Sequence, residues 1–237
     1  KSIIEGERAL CFWLSQQTEV SLNHPDEKIK QEASDYVSLM TPVVKSLFTD
    51  LATEITSDAM QIHGGYGFTK DQGIEQLYRD NRITPIYEGT NSVQAIDLVF
   101  RKVLSNKILD KFVSLMRSEI NNNKDNPELK NFSDTLEKKI ITLLDFAKYL
   151  EQKLKVQKDD VSAACNDFLR VLGYVALGFS WLKMTKISFK NSNKNKDFYN
   201  EKINTAKYFF DKIFPRVDSH YQSAITGSES IMKAKFH

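Results

Sequence analysis

The sequence predicts an all-α protein, and three observations support this prediction. The 237 residues include only 9 glycines and 5 prolines, which leaves little turn-forming sequence for a many-stranded fold. Several long stretches repeat apolar residues at spacings of three and four, which places those residues on one face of a helix. Hydrophobic residues make up 41% of the chain and charged residues 27%, so the composition is that of a globular protein.

The first two helices are predicted to meet near Pro25. Proline disfavours the helical conformation of the residue before it, so the first helix ends near 23–25. Asp26 then begins a second helix, whose apolar residues recur at helical spacing through the segment 43–62. Pro42 either kinks or restarts this helix, because it cannot donate the backbone hydrogen bond to the preceding turn.

The later helices follow from the same pattern. The segment 74–82 is predicted to be a short helix that Pro85 closes, and Thr90 is a suitable N-cap for the next helix because its side-chain oxygen can accept a backbone N–H. Further apolar stripes cover 136–154, 161–182 and 198–214, and stripes of this length predict a helical bundle.

Polar segments separate these later helices. The segments 121–127 and 190–196 are predicted to be loops from their composition, and the polar end after Gly227 is expected to be loose. We predict two domains, 1–105 and 106–237, with the boundary near Ser105 to Lys107.

Charge and cysteine content narrow the possible partners. The 33 basic and 31 acidic residues are interspersed and give a net charge of +2, so no broad attraction for nucleic acid or for an anionic membrane is predicted. Cys11 and Cys165 lie outside any CxxC spacing, which disfavours a disulfide framework or a zinc site and favours a reducing compartment, the cytoplasm. No apolar run approaches the ~18–20 residues of a membrane span.

Two glycine-containing segments stand out from the helical pattern. Residues 61–68 are Gln-Ile-His-Gly-Gly-Tyr-Gly-Phe, and residues 86–90 are Ile-Tyr-Glu-Gly-Thr. Both lie between helices, where glycine allows a backbone to approach a ligand closely. Glu88 lies just before a helix N-terminus, which favours a negative charge by ~0.3–1 kcal/mol when the group is exposed. Burial opposes this effect, and the sequence leaves the balance open.

Each segment also has a purely structural interpretation. Glu88 can simply complement the helix dipole, and the pair Gly64 and Gly65 can form a helix C-cap followed by a turn. His63 has no Cys or His partner nearby, so no metal site is predicted.

Together with Tyr78-Arg79-Asp80 and Gln94-Ala95-Ile96-Asp97, the two segments closely resemble the C-terminal helical domain of acyl-CoA dehydrogenases, flavoenzymes that desaturate acyl-CoA thioesters. The resemblance covers residues 1–105 and implies an up-and-down four-helix bundle there. Residues 106–237 resemble, in position and helical pattern, the helical extension of the long bacterial members, which include enzymes acting on methylmercaptopropionyl-CoA. This implies a second helical bundle.

The resemblance implies a role for each residue of the motifs. Glu88 is the candidate catalytic base, which removes the α-proton of the thioester while FAD accepts a hydride. Gly89 is a candidate substrate contact, and Tyr87 is either a wall of the acyl pocket or a packing residue. The candidate FAD contacts are Gln61, Gly64, Gly65, Thr90 and Ser92; the glycine loop, including Gly67, is expected to approach the FAD of a neighbouring subunit. Many family members have glutamine at the position of Ser92, and this chain has Gln94 two positions further on.

The resemblance also implies partners. These are an acyl-CoA substrate, an electron-transfer flavoprotein that accepts the electrons, and further copies of the same chain in a homodimer or higher homo-oligomer. Because the chain begins at Lys1 inside a helical pattern and without methionine, we expect it to be part of a longer polypeptide. By itself it is expected to bind FAD weakly or not at all and to be inactive.

Two other functions stay open at this level. Some homologues in the alkylation-damage response bind DNA, but that class should carry a concentrated basic face, which the balanced charge does not predict. The chain could also be a pure interaction module. The motifs do not determine the length or branching of the acyl chain.

Overall fold

The computed structural model of the chain describes residues 1–106 and 108–235. These residues form ten α-helices and no strand, which confirms the all-α prediction. The helices are Ser2–Asn23 (α1), Glu27–Ile62 (α2), Ile74–Asn81 (α3), Asn91–Asp97 (α4), Leu109–Asn121 (α5), Pro127–Leu154 (α6), Lys158–Asn191 (α7), Lys196–Tyr208 (α8), Arg216–Ala224 (α9) and Glu229–Met232 (α10). The π-helical segments Leu98–Ser105 and Phe209–Ile213 continue α4 and α8, and the 3₁₀ segments Gly64–Phe68 and Lys70–Gln72 follow α2.

The junction between α1 and α2 lies where the sequence predicts it. Asp26 caps α2, because its side chain accepts two backbone N–H groups of the first turn. The helix then continues through Pro42 and does not restart there. Leu39, Met40 and Val43 around the proline are fully buried, so their packing offsets the one backbone hydrogen bond that Pro42 cannot make.

Helix α7 lies at the centre of the molecule. Its residues 171–182 are all buried, and it packs against α1, α2, α4, α6, α8 and α9. Gly173 allows α2 to come close, because a Cβ at this position would lie 2.4 Å from Cδ2 of Leu47. A helix that is apolar on every side must lie inside a bundle. Helix α7 therefore joins the N-terminal and C-terminal helices in one core.

The predicted division into 1–105 and 106–237 stays a prediction. Lys107, at the proposed boundary, lies outside the described residues. One continuous cluster of buried apolar side chains contains residues from both sides, among them Leu47 and Val175. The two predicted domains therefore share a core.

Ser228, directly after Gly227, is held against the fold, so the prediction of a loose end was wrong at this residue, whereas residues 229–235 are exposed. Ser228 is buried, and its backbone N and its hydroxyl donate to Oδ1 of Asp160 at 2.8 and 2.7 Å. Lys153 donates to Oδ2 of Asp160 at 2.7 Å. The bonds from Lys153 and then from Ser228 lower the pKa of Asp160 to about 2. Composition alone could not reveal the carboxylate that receives this segment.

Glu7 of α1 carries a partly buried carboxyl group. Its Oε1 is shielded from solvent and makes no hydrogen bond within the described part of the chain. Burial raises the pKa of Glu7 to about 8. Between its ordinary pKa of 4.5 and this value, the folded chain binds more protons at Glu7 than the unfolded chain does. The contribution of Glu7 to stability is therefore present at low pH and is lost as the pH rises through this window.

We expect Glu7→Gln to remove this pH dependence. At pH 4, below the ordinary pKa of 4.5, the variant and the wild type should have similar free energies of unfolding, because Glu7 is then largely neutral in the folded and the unfolded chain and the two side chains have nearly the same shape. At pH 8 the variant should be more stable, on the order of 1–3 kcal/mol. Denaturant unfolding at both pH values measures the difference, with Glu27→Gln on an exposed side chain as the control. Equal pH dependence in wild type and Glu7→Gln would contradict the raised pKa.

Candidate functional site

The two glycine segments are both supported by α2. The turn Gly64–Phe68 follows the end of α2, and the chain then returns along the same helix: Nδ2 of Asn81 in α3 donates to Oγ1 of Thr53 at 2.8 Å. Further along, the carbonyl of Gly89 accepts from Nζ of Lys45 at 2.6 Å. Helix α2 thus positions one segment at its C-terminal end and the other near its middle.

This arrangement separates the two segments. Lys45, which contacts the Glu88–Gly89 turn, and Gln61, which begins the other segment, lie roughly 24 Å apart along the axis of α2 at a rise of about 1.5 Å per residue. The chain therefore brings Tyr87, Glu88, Gly89, Thr90 and Ser92 together, and it brings Gln61, Gly64 and Gly65 together at a second place.

Glu88 and Gly89 form a left-handed turn. Their φ angles are 54° and 85°, and Glu88 is the one non-glycine residue with positive φ among the residues described. The backbone carbonyl of Glu88 accepts from Nε2 of Gln94 at 3.1 Å. Its carboxylate is exposed and has no hydrogen bond or ion pair to any residue in the ranges 1–106 and 108–235. The fold therefore holds a carboxylate in a conformation that costs a non-glycine residue roughly 1–2 kcal/mol, without using that carboxylate for structure.

Asn91 is the residue that ties this turn to α2. Its Oδ1 accepts from Nζ of Lys45 at 2.9 Å. Its Nδ2 donates to Oδ1 of Asp50 at 2.7 Å and to Oγ1 of Thr49 at 3.0 Å. Because Lys45 also donates to the carbonyl of Gly89, the lysine and the asparagine fix both sides of the turn.

The sequence did not indicate that polar residues of α2 hold the Glu88–Gly89 turn in place. Lys45, Ser46, Thr49 and Asp50 are polar residues that lie close together on α2. This group of polar residues was the available signal, but polar residues on a helix most often face solvent. The return of the chain along α2, which brings Asn91 onto these residues, is visible only in the tertiary structure.

The side chains that follow the turn differ in which hydrogen bonds they already make. Oγ1 of Thr90 accepts a backbone N–H of the first turn of α4, which confirms the predicted cap, and the hydroxyl hydrogen of Thr90 is left for another acceptor. Ser92 is exposed and accepts from Nδ2 of Asn166 in α7 at 3.3 Å. The amide nitrogen of Gln94 is committed to the carbonyl of Glu88.

The glycine loop leaves open space beside two of its three glycines. A Cβ added to Gly64 or Gly65 would meet no atom within 4 Å, whereas a Cβ on Gly67 would lie 2.3 Å from the carbonyl oxygen of Met60. Gly64 has a φ of 60°, which favours glycine for its backbone alone. Gly65 has neither constraint, so the fold itself does not require glycine at this position. Gln61 is exposed beside these glycines.

Exposed apolar side chains accompany both segments. Tyr66 and Phe68 are 72% and 79% exposed, and Ile86 and Tyr87 are 47% and 51% exposed. Each segment thus presents neighbouring apolar side chains to solvent. No group of His, Cys, Asp and Glu suited to a metal ion occurs within the described ranges. No helix in those ranges has the length and apolar character to cross a membrane.

Two protein families match nearly the whole chain in succession. Residues 26–103 match the family described as acyl-CoA dehydrogenase, C-terminal domain. Residues 109–235, more than half of the chain, match the family described as acetyl-CoA dehydrogenase C-terminal like.

Curated relatives carry matching names. A 3-methylmercaptopropionyl-CoA dehydrogenase of Ruegeria pomeroyi is 42% identical over 104 residues, which is 44% of this chain and 18% of that protein. A broad-specificity linear acyl-CoA dehydrogenase of Mycobacterium tuberculosis is 26% identical over 98% of this chain and 40% of its own length. The chain thus spans less than half the length of these relatives.

Solved structures share the fold. The structure of Caenorhabditis elegans ACDH-11 in complex with C11-CoA has a TM-score of 0.77 at 18% identity and covers 98% of this chain, which matches 38% of that one. An acyl-CoA dehydrogenase from Bacillus anthracis complexed with FAD has a TM-score of 0.62 at 18% identity, over 98% of this chain and 44% of its own. At this identity the likeness supports the fold alone. The family matches and the helical architecture together show that the chain belongs to the acyl-CoA dehydrogenase family and is a C-terminal helical region of that family.

Proposed function

We propose that the chain is the C-terminal part of an FAD-dependent acyl-CoA dehydrogenase and that Glu88 is the catalytic base. The observation that carries this proposal is the strained turn at Glu88, which presents a carboxylate that has no hydrogen bond or ion pair within the described residues. Strain of this kind persists only where the surroundings hold it, as Lys45 and Asn91 do here. Asp26, by contrast, is a carboxylate that caps a helix, and its side chain accepts two backbone N–H groups.

The chemistry of α,β-desaturation fits this arrangement. The carboxylate of Glu88 takes the proton from the carbon next to the thioester carbonyl. Bound FAD supplies the acceptor for the hydride from the next carbon. Gly89 has no Cβ, so a thioester can come close to its backbone. The half-exposed ring of Tyr87 offers an apolar wall.

The residues of both segments suit a flavin dinucleotide. The open space beside Gly64 and Gly65 allows a ligand to lie against the backbone. The hydroxyl hydrogen of Thr90 can donate to a ligand oxygen, and the exposed side chains of Gln61 and Ser92 carry further donors. These five residues are the proposed FAD contacts.

The distance between the segments supports a homodimer or a higher homo-oligomer. Because the Gln61 segment lies roughly 24 Å from the Lys45 contact along α2, the two segments are proposed to contact the flavins of two different subunits. The exposed rings of Tyr66 and Phe68 would be covered in that assembly.

The remaining parts of the proposal follow from membership of the family. The substrate is an acyl-CoA thioester, the electrons pass to an electron-transfer flavoprotein, and the protein is cytoplasmic and does not bind nucleic acid. Because the chain spans less than half the length of its relatives, the isolated chain is expected to bind FAD weakly and to be inactive.

In the full-length, FAD-loaded protein, Glu88→Gln should lower the rate of flavin reduction by about 10²–10⁴-fold, because an amide cannot accept the α-proton. Anaerobic bleaching of the flavin absorbance with a panel of acyl-CoA thioesters measures this rate. Glu75→Gln, which changes another carboxylate of the same region, should leave the rate unchanged. A flavin-loaded Glu88→Gln protein that reduces at the wild-type rate would contradict the role of base.

The strain at Glu88 predicts an unusual order of stabilities. Glu88→Gly should be more stable than Glu88→Ala by about 0.5–1 kcal/mol, because glycine adopts positive φ freely and its more flexible unfolded state offsets only part of this gain. At Glu75 in α3 the order should reverse, since glycine weakens a helix. Denaturant unfolding of the four variants tests both pairs. An alanine variant at position 88 as stable as the glycine variant would show that the turn is not strained.

Substitutions at two glycines of the loop should distinguish an effect on FAD binding from an effect on folding. Gly65→Ala should leave the free energy of unfolding almost unchanged but should weaken FAD binding by the full-length protein about tenfold or more, because its Cβ occupies the proposed contact surface. Gly67→Ala should lower stability, because its Cβ would clash with the Met60 carbonyl. Thermal unfolding and FAD titration of the apoprotein measure the two effects. Unchanged FAD affinity in Gly65→Ala would remove Gly65 from the proposed site.

A further inference from the structure

We infer that Arg170 of α7 is a positioning residue for the Glu88–Gly89 turn, so that the C-terminal extension helps to arrange the proposed active site. The structural link is independent of the reaction, whereas its catalytic consequence rests on the proposed function.

Four side chains connect α7 to the turn. Nη2 of Arg170 donates to Oδ2 of Asp50 at 3.0 Å, and the other oxygen of Asp50 accepts from Nδ2 of Asn91 at 2.7 Å. Oδ1 of Asn91 accepts from Nζ of Lys45 at 2.9 Å, and Lys45 donates to the carbonyl of Gly89 at 2.6 Å. The chain of bonds therefore runs from α7 through α2 and α4 to the carbonyl beside the proposed base.

Each bond in this chain fixes the orientation of the next group. The carboxylate of Asp50 divides its two oxygens between Arg170 and Asn91. Because a carboxylate only accepts, it selects the NH₂ side of the Asn91 amide and leaves the amide oxygen facing Lys45. Nδ2 of Asn91 also donates to the backbone carbonyl of Ser46 at 3.1 Å and to Oγ1 of Thr49 at 3.0 Å, but both are neutral acceptors. Loss of the Arg170 guanidinium frees Asp50 to rotate, and the Asn91 amide then loses the one charged acceptor, and so the strongest bond, that holds its NH₂ side.

A second contact from the same face of α7 supports the inference. Asn166 lies one helical turn before Arg170, and its Nδ2 donates to Oγ of Ser92 at 3.3 Å. Helix α7 also packs directly against α2 and α4. One face of α7 thus contacts both the helix that supports the turn and the helix that follows it.

The exposure of the ion pair indicates what its loss will do. The side chains of Arg170 and Asp50 are 37% and 28% exposed, so solvent screens their attraction and the pair adds little to global stability. Its removal should therefore affect the local order of the turn more than the folding of the protein.

The test uses full-length, FAD-loaded protein with four variants. Arg170→Met keeps the apolar stem and removes the guanidinium, Arg170→Lys keeps the cation, and Asp50→Asn removes the charge that Arg170 faces. Arg117→Met is the matched control, because Arg117 pairs with Glu137 between α5 and α6 at a similar exposure of 41% and 32%.

Two readouts are expected to change together. Amide hydrogen exchange in the peptide 86–94 should become about tenfold faster in Arg170→Met and Asp50→Asn but should stay unchanged in Arg170→Lys and Arg117→Met. The kcat for flavin reduction by an acyl-CoA thioester should fall about tenfold in the first two variants with little change in KM, because the base is misplaced while the binding surface is kept.

The outcomes separate this inference from the proposed function. Unchanged exchange at 86–94 in Arg170→Met, or equal acceleration in Arg117→Met, would overturn the link between α7 and the turn. Faster exchange with an unchanged kcat would overturn the positioning role. If the wild-type flavin is not bleached by any thioester while exchange changes as expected, the proposed function fails and the structural link stands.

Discussion

Helix α7 is apolar on every side between residues 171 and 182, so its surface is removed from water only when other helices surround it completely. Six helices do so, and they come from both ends of the chain. At Gly173 the contact with α2 leaves no room for a side chain. Burial of this one helix therefore sets the position of α2, and through α2 it sets the position of every candidate site residue.

Helix α2 has two kinds of face, and the separation of these faces explains how a packed bundle can hold a strained turn. Its apolar residues, such as Leu47, pack on α7, while Lys45 and Asp50 on the polar side hold the returning chain through Asn91. The apolar contacts stabilise the fold, and the hydrogen bonds fix the conformation of the turn. The positive φ of Glu88 is tolerated because the apolar contacts and the hydrogen bonds already hold the surrounding backbone.

The extension is joined to the site region both by packing and by polar contacts. Helix α7 contributes to the shared core and also presents Asn166 and Arg170 to the segment around the turn. An extension that only enlarged the protein would need no such polar contacts. The predicted domain boundary near Ser105 is therefore crossed by a continuous core.

The sequence by itself determined the helical class, the junction at Asp26, the cap at Thr90 and the family to which the two glycine motifs belong, because these depend on local spacing and on the chemistry of single residues. The tertiary structure alone decided that Ser228 is docked on Asp160, and that Asn91 meets the polar side of α2. The reason is physical: these contacts join residues distant in sequence, and a polar side chain has the same appearance in a sequence whether it faces water or another chain segment.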